Sequence, residues 1–234
     1  MGTRIGPLTR IAPPMPAELT CDIDAVLVSH LHADHADPRS LRRIGAHTIA
    51  PRGSARWLAR NGIRHVEELS PGEETRVRGV RVRATRAVHS GRRWRLGVDV
   101  EPIGLVAKGS QACYFAGDTG LFEQMSELAG SIDLALLPVW GWGSRLGPGH
   151  LDPQGAATAA SMILPRVAVP IHWGTFVLGW PARRPADPSL PARRFSELAS
   201  RLAPRVEVRV LIPGERTELA GNRRAAQQTS EGHR

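Results

Sequence analysis

Residues 30–35 read His30-Leu31-His32-Ala33-Asp34-His35, directly behind the apolar run Ala25-Val26-Leu27-Val28-Ser29. Three imidazoles and one carboxylate crowd into six positions, although the chain holds only 9 histidines in 234 residues. At the chain's own His and Asp frequencies, four such positions recur by accident less than about once in a thousand chains. Imidazole nitrogen and carboxylate oxygen are the donors that a borderline-soft divalent ion such as zinc takes. Spacing adds geometry. In extended backbone, positions i and i+2 share a face, so His30 and His32 can grip one ion. Past the strand end the chain turns, and Asp34 and His35 can face a second.

Neither pair completes a coordination shell, so further donors are expected where other strands end. His89 follows an alternating strand in Ala87-Val88-His89-Ser90-Gly91, and Asp118 follows an apolar strand in Ala116-Gly117-Asp118-Thr119-Gly120. His172 ends the run Val167 to Ile171 in Pro170-Ile171-His172-Trp173-Gly174. His150, in Gly149-His150-Leu151-Asp152-Pro153, reads either as a working residue or as plain loop before a helix that Asp152-Pro153 starts. His47, His65 and His233 join no motif.

Composition bounds the class. A chain of this length fits one large α/β domain, and 41% hydrophobic residues exclude a disordered composition. The net charge of +9 comes almost wholly from arginine, with Lys108 the only lysine. Such a field attracts anionic substrates, while an arginine bias alone is weak ground for nucleic-acid binding. Cys21 and Cys113 are too few for a disulfide scaffold and are expected to be reduced thiols. No apolar run approaches the roughly 18 residues of a membrane-spanning helix, and no signal peptide is indicated, so a cytoplasmic location is expected. Oligomeric state is not readable.

Residues 1–20 are Pro-rich and are expected to be irregular, 21–220 to form the folded domain, and the polar tail 221–234 to be disordered. Helices are expected over Pro38–Ile44, from a Ser54 cap to Arg60, and over Leu121–Leu128, Pro153–Leu164 and Phe195–Leu202. Strands are expected over Asp22–Ser29, Thr48–Ala50, within Arg76–Val88 with a break at Gly79, and over Ile103–Ala107, Ala112–Ala116, Ile132–Val139, Val167–Ile171 and Val206–Leu211. Hairpins come first and helix–strand alternation later, which suggests sheets covered by helices. Trp140 and Trp142 could wall a pocket or simply pack. Arg92, Arg93 and Arg95 read better as a solvated basic loop than as a phosphate clamp.

Taken together, Val28-Ser29-His30-Leu31-His32-Ala33-Asp34-His35, Gly117-Asp118-Thr119-Gly120, Gly149-His150-Leu151-Asp152-Pro153 and Ile171-His172-Trp173-Gly174-Thr175-Phe176 resemble the metallo-β-lactamase superfamily. The likeness is greatest to its N-acylphosphatidylethanolamine phospholipase D-like and ascorbate-phosphate lactonase-like branch, and it spans most of residues 21–213. The resemblance implies an α/β four-layer αββα sandwich of two mixed sheets with a dinuclear site at one rim. It implies His30, His32 and His89 on one divalent ion and Asp34, His35 and His172 on the other. Asp118 and a hydroxide would bridge the two. Zinc is favoured, with manganese or iron suited to the same ligands. Asp34, Asp118 and His150 are the implied catalytic residues, His150 binding substrate or donating a proton.

The implied activity is hydrolysis, most favourably of a phosphodiester in a small anionic or lipid-like substrate. A lactone or other carboxylic ester is the enzymatic alternative, and a non-catalytic nucleic-acid or anion-binding protein the other. A complete set of seven ligands argues against the last. True β-lactamases typically carry Cys or Ser where Asp118 stands. Members usually open on a β-hairpin with a Gly-His-rich strand and a Thr-Asp-Pro-like turn. This chain is expected to lack that hairpin, its Met1 falling in the connection behind it.

Overall fold

The apolar run ahead of His30 forms strand β3 (Ala25–Leu27) in the computed structural model of the chain, which describes residues 4–5, 8–14, 16–93, 97–140, 146–179 and 187–220. Strands β1 (Arg4–Ile5) and β2 (Leu8–Arg10) precede it. After it come α1 (Pro38–Ile44), β4 (His47–Pro51), α2 (Ala55–Arg60), β5 (Val66–Leu69), β6 (Glu74–Val77), β7 (Val80–Arg86), β8 (Ile103–Lys108) and β9 (Ala112–Phe115). Then follow β10 (Leu134–Pro138), α3 (Pro153–Ile163), β11 (Val167–Ile171), β12 (Phe176–Leu178), α4 (Leu190–Leu202) and β13 (Glu207–Val208).

Strands β3, β4 and β5 pair in parallel. Parallel neighbours need a crossover, and α1 and α2 supply the two. This sheet is therefore parallel throughout, where mixed pairing was expected. A seven-stranded mixed sheet has the order β13-β11-β10-β9-β8-β7-β6. Ile49 and Leu69 of the smaller sheet share a buried cluster with Val82, Ala84, Ile103 and Leu105 of the larger. That contact makes the pair a sandwich.

Alternation along the strands sends the next residues outward. Ala50 packs with Leu41 of α1 and Leu58 of α2. Tyr114, Ala135 and Ala168 pack with Ala156 and Ala160 of α3 and Phe195 of α4. The layers run helix, sheet, sheet, helix, which is the αββα sandwich the resemblance implied. Among the described residues no helix is long and apolar enough to cross a membrane. Cys21 is exposed and Cys113 half-buried.

Several local expectations change. The segment before Thr20 is not wholly irregular. β2 pairs antiparallel with β1 and with β12, Thr9 opposite Val177. Its partner lies so far along the chain that no local pattern announces it. The pair is short. Ser54 does not cap α2: its backbone is already helical, its hydroxyl makes no cap bond, and Glu68 accepts from Ala55 N at 2.6 Å instead. The expected helix Leu121–Leu128 is a 3-10 helix over Glu123–Leu128, whose buried Met125 and Leu128 keep its three-residue period. α4 begins earlier than expected, at Leu190, and only Glu207 and Val208 of the last expected strand pair with β11. The expected disordered tail 221–234 lies outside the described residues.

Candidate metal centre

Strand direction gathers the expected donors. β7 is antiparallel to β8 and β8 to β9, while β9, β10 and β11 are parallel. Hence β7, β9, β10 and β11 all end on one rim, and His89, Asp118 and His172 follow β7, β9 and β11 there. The end of β3 is drawn to the same rim because Ile103 N donates to Ser29 O at 2.9 Å.

Three backbone devices fix the loops. Gly117 has φ +63°, and a Cβ there would stand 2.7 Å from Ser29 Cβ, so only glycine lets the Asp118 loop lie on Ser29. Val88 N donates to Thr119 Oγ1 at 2.8 Å, and Gly120 N to Val88 O at 2.8 Å, stitching the Asp118 and His89 loops together. His172 itself adopts φ +64°, a left-handed conformation that costs a non-glycine residue roughly 1 kcal/mol or more. Its imidazole is thereby turned towards Asp34 and Asp118.

The donors fall into two groups, His30, His32, His89 and Asp118, and Asp34, His35, Asp118 and His172, with ligand atoms within 4.8 Å of one another in each. In the first, His32 Nδ1 lies 3.0 Å from His30 Nε2 and 3.1 Å from His89 Nε2, and Asp118 Oδ2 lies 3.9 Å from His30 Nε2. In the second, His35 Nε2 is 3.3 Å from His172 Nε2 and 3.4 Å from Asp34 Oδ2. Asp118 spans both, with Oδ1 3.3 Å from His172 Nε2 and Oδ2 3.3 Å from His35 Nε2. Ligand bonds of 2.0–2.1 Å in tetrahedral array separate neighbouring donors by about 3.3 Å. The observed spacings bracket that value.

The far side of four of the five rings is anchored. His32 Nε2 bonds the Arg92 carbonyl at 3.0 Å, and His89 Nδ1 the Gly149 carbonyl at 2.9 Å. His172 Nδ1 bonds the Trp140 carbonyl, and His30 Nδ1 the Ser29 hydroxyl at 3.0 Å. A ring N–H that donates to a carbonyl leaves its other nitrogen with a lone pair aimed inward, the arrangement that metal-binding histidines adopt.

Electrostatics divides the groups. Burial pushes His30 well below its ordinary pKa, lowers His32, and brings His89 down to about 4. These are neutral lone-pair donors. In the second group burial opposes every charge but is outweighed. His35 and His172 hold Asp118 well below the usual carboxylate range, and hydrogen bonds from His172 and His35 do the same for Asp34. In return Asp118 and Asp34 raise His172 and push His35 up to about 10. Two buried carboxylates thus call for positive charge, which a divalent cation supplies by displacing protons. Both oxygens of Asp118 are buried and accept no hydrogen bond among the described residues. The donor set fits a pair of metal ions.

Every residue expected at the site is brought to it. His150 Nε2 lies 3.6 Å from Asp118 Oδ2, its ring edge-on to His89, and its Nδ1 bonds the Gly147 carbonyl. Asp152 caps α3 by accepting from Gly155 N at 2.7 Å, so it starts the helix as one reading had it. His47 stays apart, paired with Glu67 on the surface. Trp140 is half-buried against the core below α3, while Trp142 and Arg95 lie outside the described residues. A cleft of about 630 Å³ opens on the second group, at Asp34, His35 and His172, walled by Leu19, Phe176 and Pro213 with Arg216 among its lining. Sequence reasoning missed this cleft, whose walls come from three distant segments. It also missed the anchoring carbonyls, which no residue type advertises.

A profile described as the β-lactamase superfamily domain matches residues 3–173. The chain is 35% identical over 206 residues, 84% of its length and 83% of the relative's, to a UPF0173 metal-dependent hydrolase of Methanopyrus kandleri. It is 30% identical over 200 residues, 74% of its length and 55% of the relative's, to an N-acyl-phosphatidylethanolamine-hydrolyzing phospholipase D of Caenorhabditis elegans. Among solved structures, Igni18, a metallo hydrolase of Ignicoccus hospitalis, aligns with a TM-score of 0.63 and 28% identity, covering 84% of this chain and 80% of that one. With ligand motifs, fold and profile in agreement, the chain belongs to the β-lactamase superfamily domain family.

Proposed function

We propose that the chain is a metal-dependent hydrolase that uses two divalent ions, zinc favoured, to cleave a phosphodiester in a small anionic or lipid-like substrate. One observation carries the reading. Two ligand groups meet at a single buried carboxylate, Asp118, whose oxygens accept no hydrogen bond among the described residues. His30, His32 and His89 would hold one ion, Asp34, His35 and His172 the other, and Asp118 both. Two ions so held would supply a nucleophile at neutral pH and Lewis-acid stabilisation of the displacement.

The chain's own groups define the rest. His150 Nε2 lies 3.6 Å from Asp118, which raises the pKa of the imidazole, and is the chain's own group placed to pass a proton to a leaving oxygen. The cleft beside Asp34, His35 and His172 takes the organic part of the substrate against Leu19 and Phe176. Arg216 and the net charge of +9 favour an anionic group there. The Caenorhabditis elegans relative, named for phospholipid phosphodiester hydrolysis, supports this substrate class.

Metal analysis of the purified chain should find about two divalent ions, and Asp118→Ala should lose metal together with turnover. His150→Ala should lower turnover by roughly 10²- to 10⁴-fold with metal content intact. A nitrophenyl phosphodiester, a phosphatidylethanolamine derivative and a lactone panel assayed side by side distinguish the substrates. Phosphodiester cleavage should dominate. Preference for lactones would move the assignment to the acyl centre, and full activity after complete chelation would end the metal mechanism.

A further inference from the structure

The loop that carries His89 continues into Arg93, expected from the sequence to belong to a solvated basic stretch. Instead Arg93 is half-buried and turned under the ligand segment. Its Nη1 donates to the Leu31 carbonyl and, at 3.1 Å, to the Ala36 carbonyl. Leu31 stands between His30 and His32, and Ala36 follows His35, so one nitrogen ties down both halves of the segment. The guanidinium carbon lies 4.3 Å over the Trp57 ring of α2, which fixes the plane from below.

The base of this clamp is itself held by contacts. A Cβ on Gly91 would fall 1.5 Å from the Val100 carbonyl oxygen, so the two arms of the loop are in close contact. Arg92 pairs with Asp99 at 2.9 Å, and Arg93 N donates to Val98 O at 3.0 Å. The Arg92 carbonyl in turn orients His32. We propose that Arg93 is a positioning residue that locks the His30–His35 segment to the His89 loop and thereby sets the metal affinity of both groups. Arginine suits the task because it stays protonated, donates to carbonyls and stacks flat. It cannot itself ligate a cation. The inference rests on the two-metal reading.

The test is zinc affinity of the full chain by competition with a chromophoric chelator, together with the visible spectrum after cobalt substitution. Arg93→Met should weaken zinc binding by about 10- to 100-fold, the usual loss when an outer-shell partner is removed. Arg93→Lys, which restores a cationic donor without the stacking plane, should fall between it and the wild type. Both should shift the cobalt bands, whereas Leu58→Ala, which loosens the same buried cluster, should lower the melting temperature and leave the bands in place. Should Arg93→Met fail to fold, Arg93→Lys decides alone and must bind zinc at least threefold more weakly than wild type. Either folded variant within twofold of wild type, with an unshifted cobalt spectrum, overturns the clamp. Failure of the wild-type chain to bind zinc or cobalt at all is a different result: it overturns the two-metal reading itself.

Discussion

Gly149 has no side chain, yet it holds one of the candidate ligands, His89. Its carbonyl accepts from His89 Nδ1, and its φ of +78° brings the backbone so close that a Cβ would lie 2.8 Å from Val88 O and 2.9 Å from His89 Cα. Gly149→Ala therefore combines left-handed strain with a clash against backbone that cannot swing aside. Strain of this kind costs about 1–3 kcal/mol, and the first group should suffer before the second. The expected outcome is a folded chain with a lowered melting temperature and about one bound ion instead of two, read by metal analysis. Retention of both ions at wild-type affinity would show that His89 does not depend on this contact. At this scale the candidate ligands were legible because histidine and aspartate carry their chemistry in the side chain. Arg93 and the carbonyls of Arg92, Trp140 and Gly149 were not, since any residue has a carbonyl and most arginines are solvated.

Helix starts link the site to the elements behind it. Asp37 accepts from Ser40 N at 3.1 Å and Pro38 opens α1, only three residues past His35; Gly45, at φ +66°, closes it. These stop and start signals are local, so the sequence placed Pro38–Ile44 without error. The same logic sets α3, where Asp152 caps the first turn two residues beyond His150. Asp152→Ala should cost about 1 kcal/mol of stability and loosen His150 while leaving the metal ligands alone. Thermal melts should fall slightly and turnover should drop with metal content unchanged; loss of metal would place Asp152 in the ligand scaffold instead. Elements that depend on distant partners were harder to read. β5 reads Val66-Glu67-Glu68-Leu69, its polar centre occupied by a pair to His47 and a bond to the start of α2. β12 exists because β2, far away in the chain, lies alongside.

For the whole molecule, the order of strands decided what local patterns could not: that four strand ends share a rim, and that the smaller sheet is parallel. The layers themselves were foreshadowed by the alternation of helix and strand. A site assembled from β3, β7, β9 and β11 ties both sheets together, so filling it should stabilise the whole domain. Without an ion, five imidazoles and two carboxylates share one buried pocket, with His35 protonated to offset Asp34 and Asp118. An ion that binds only the folded state at a thousandfold excess over its dissociation constant adds about 4 kcal/mol. In a chain of this size each kcal/mol moves the melting temperature by roughly 2–4 °C. Stripping one such ion should therefore lower the midpoint on the order of 10 °C, and zinc added back should restore it. His47→Ala, at a histidine outside both groups, should show the full shift. Asp118→Ala, which removes the shared ligand, should melt at nearly one temperature with or without chelator. If wild-type protein also melted at the same temperature in both conditions, the seven residues would have to be stable together without a cation, and the burial of Asp118 would be left with no compensating charge but that of its own histidines.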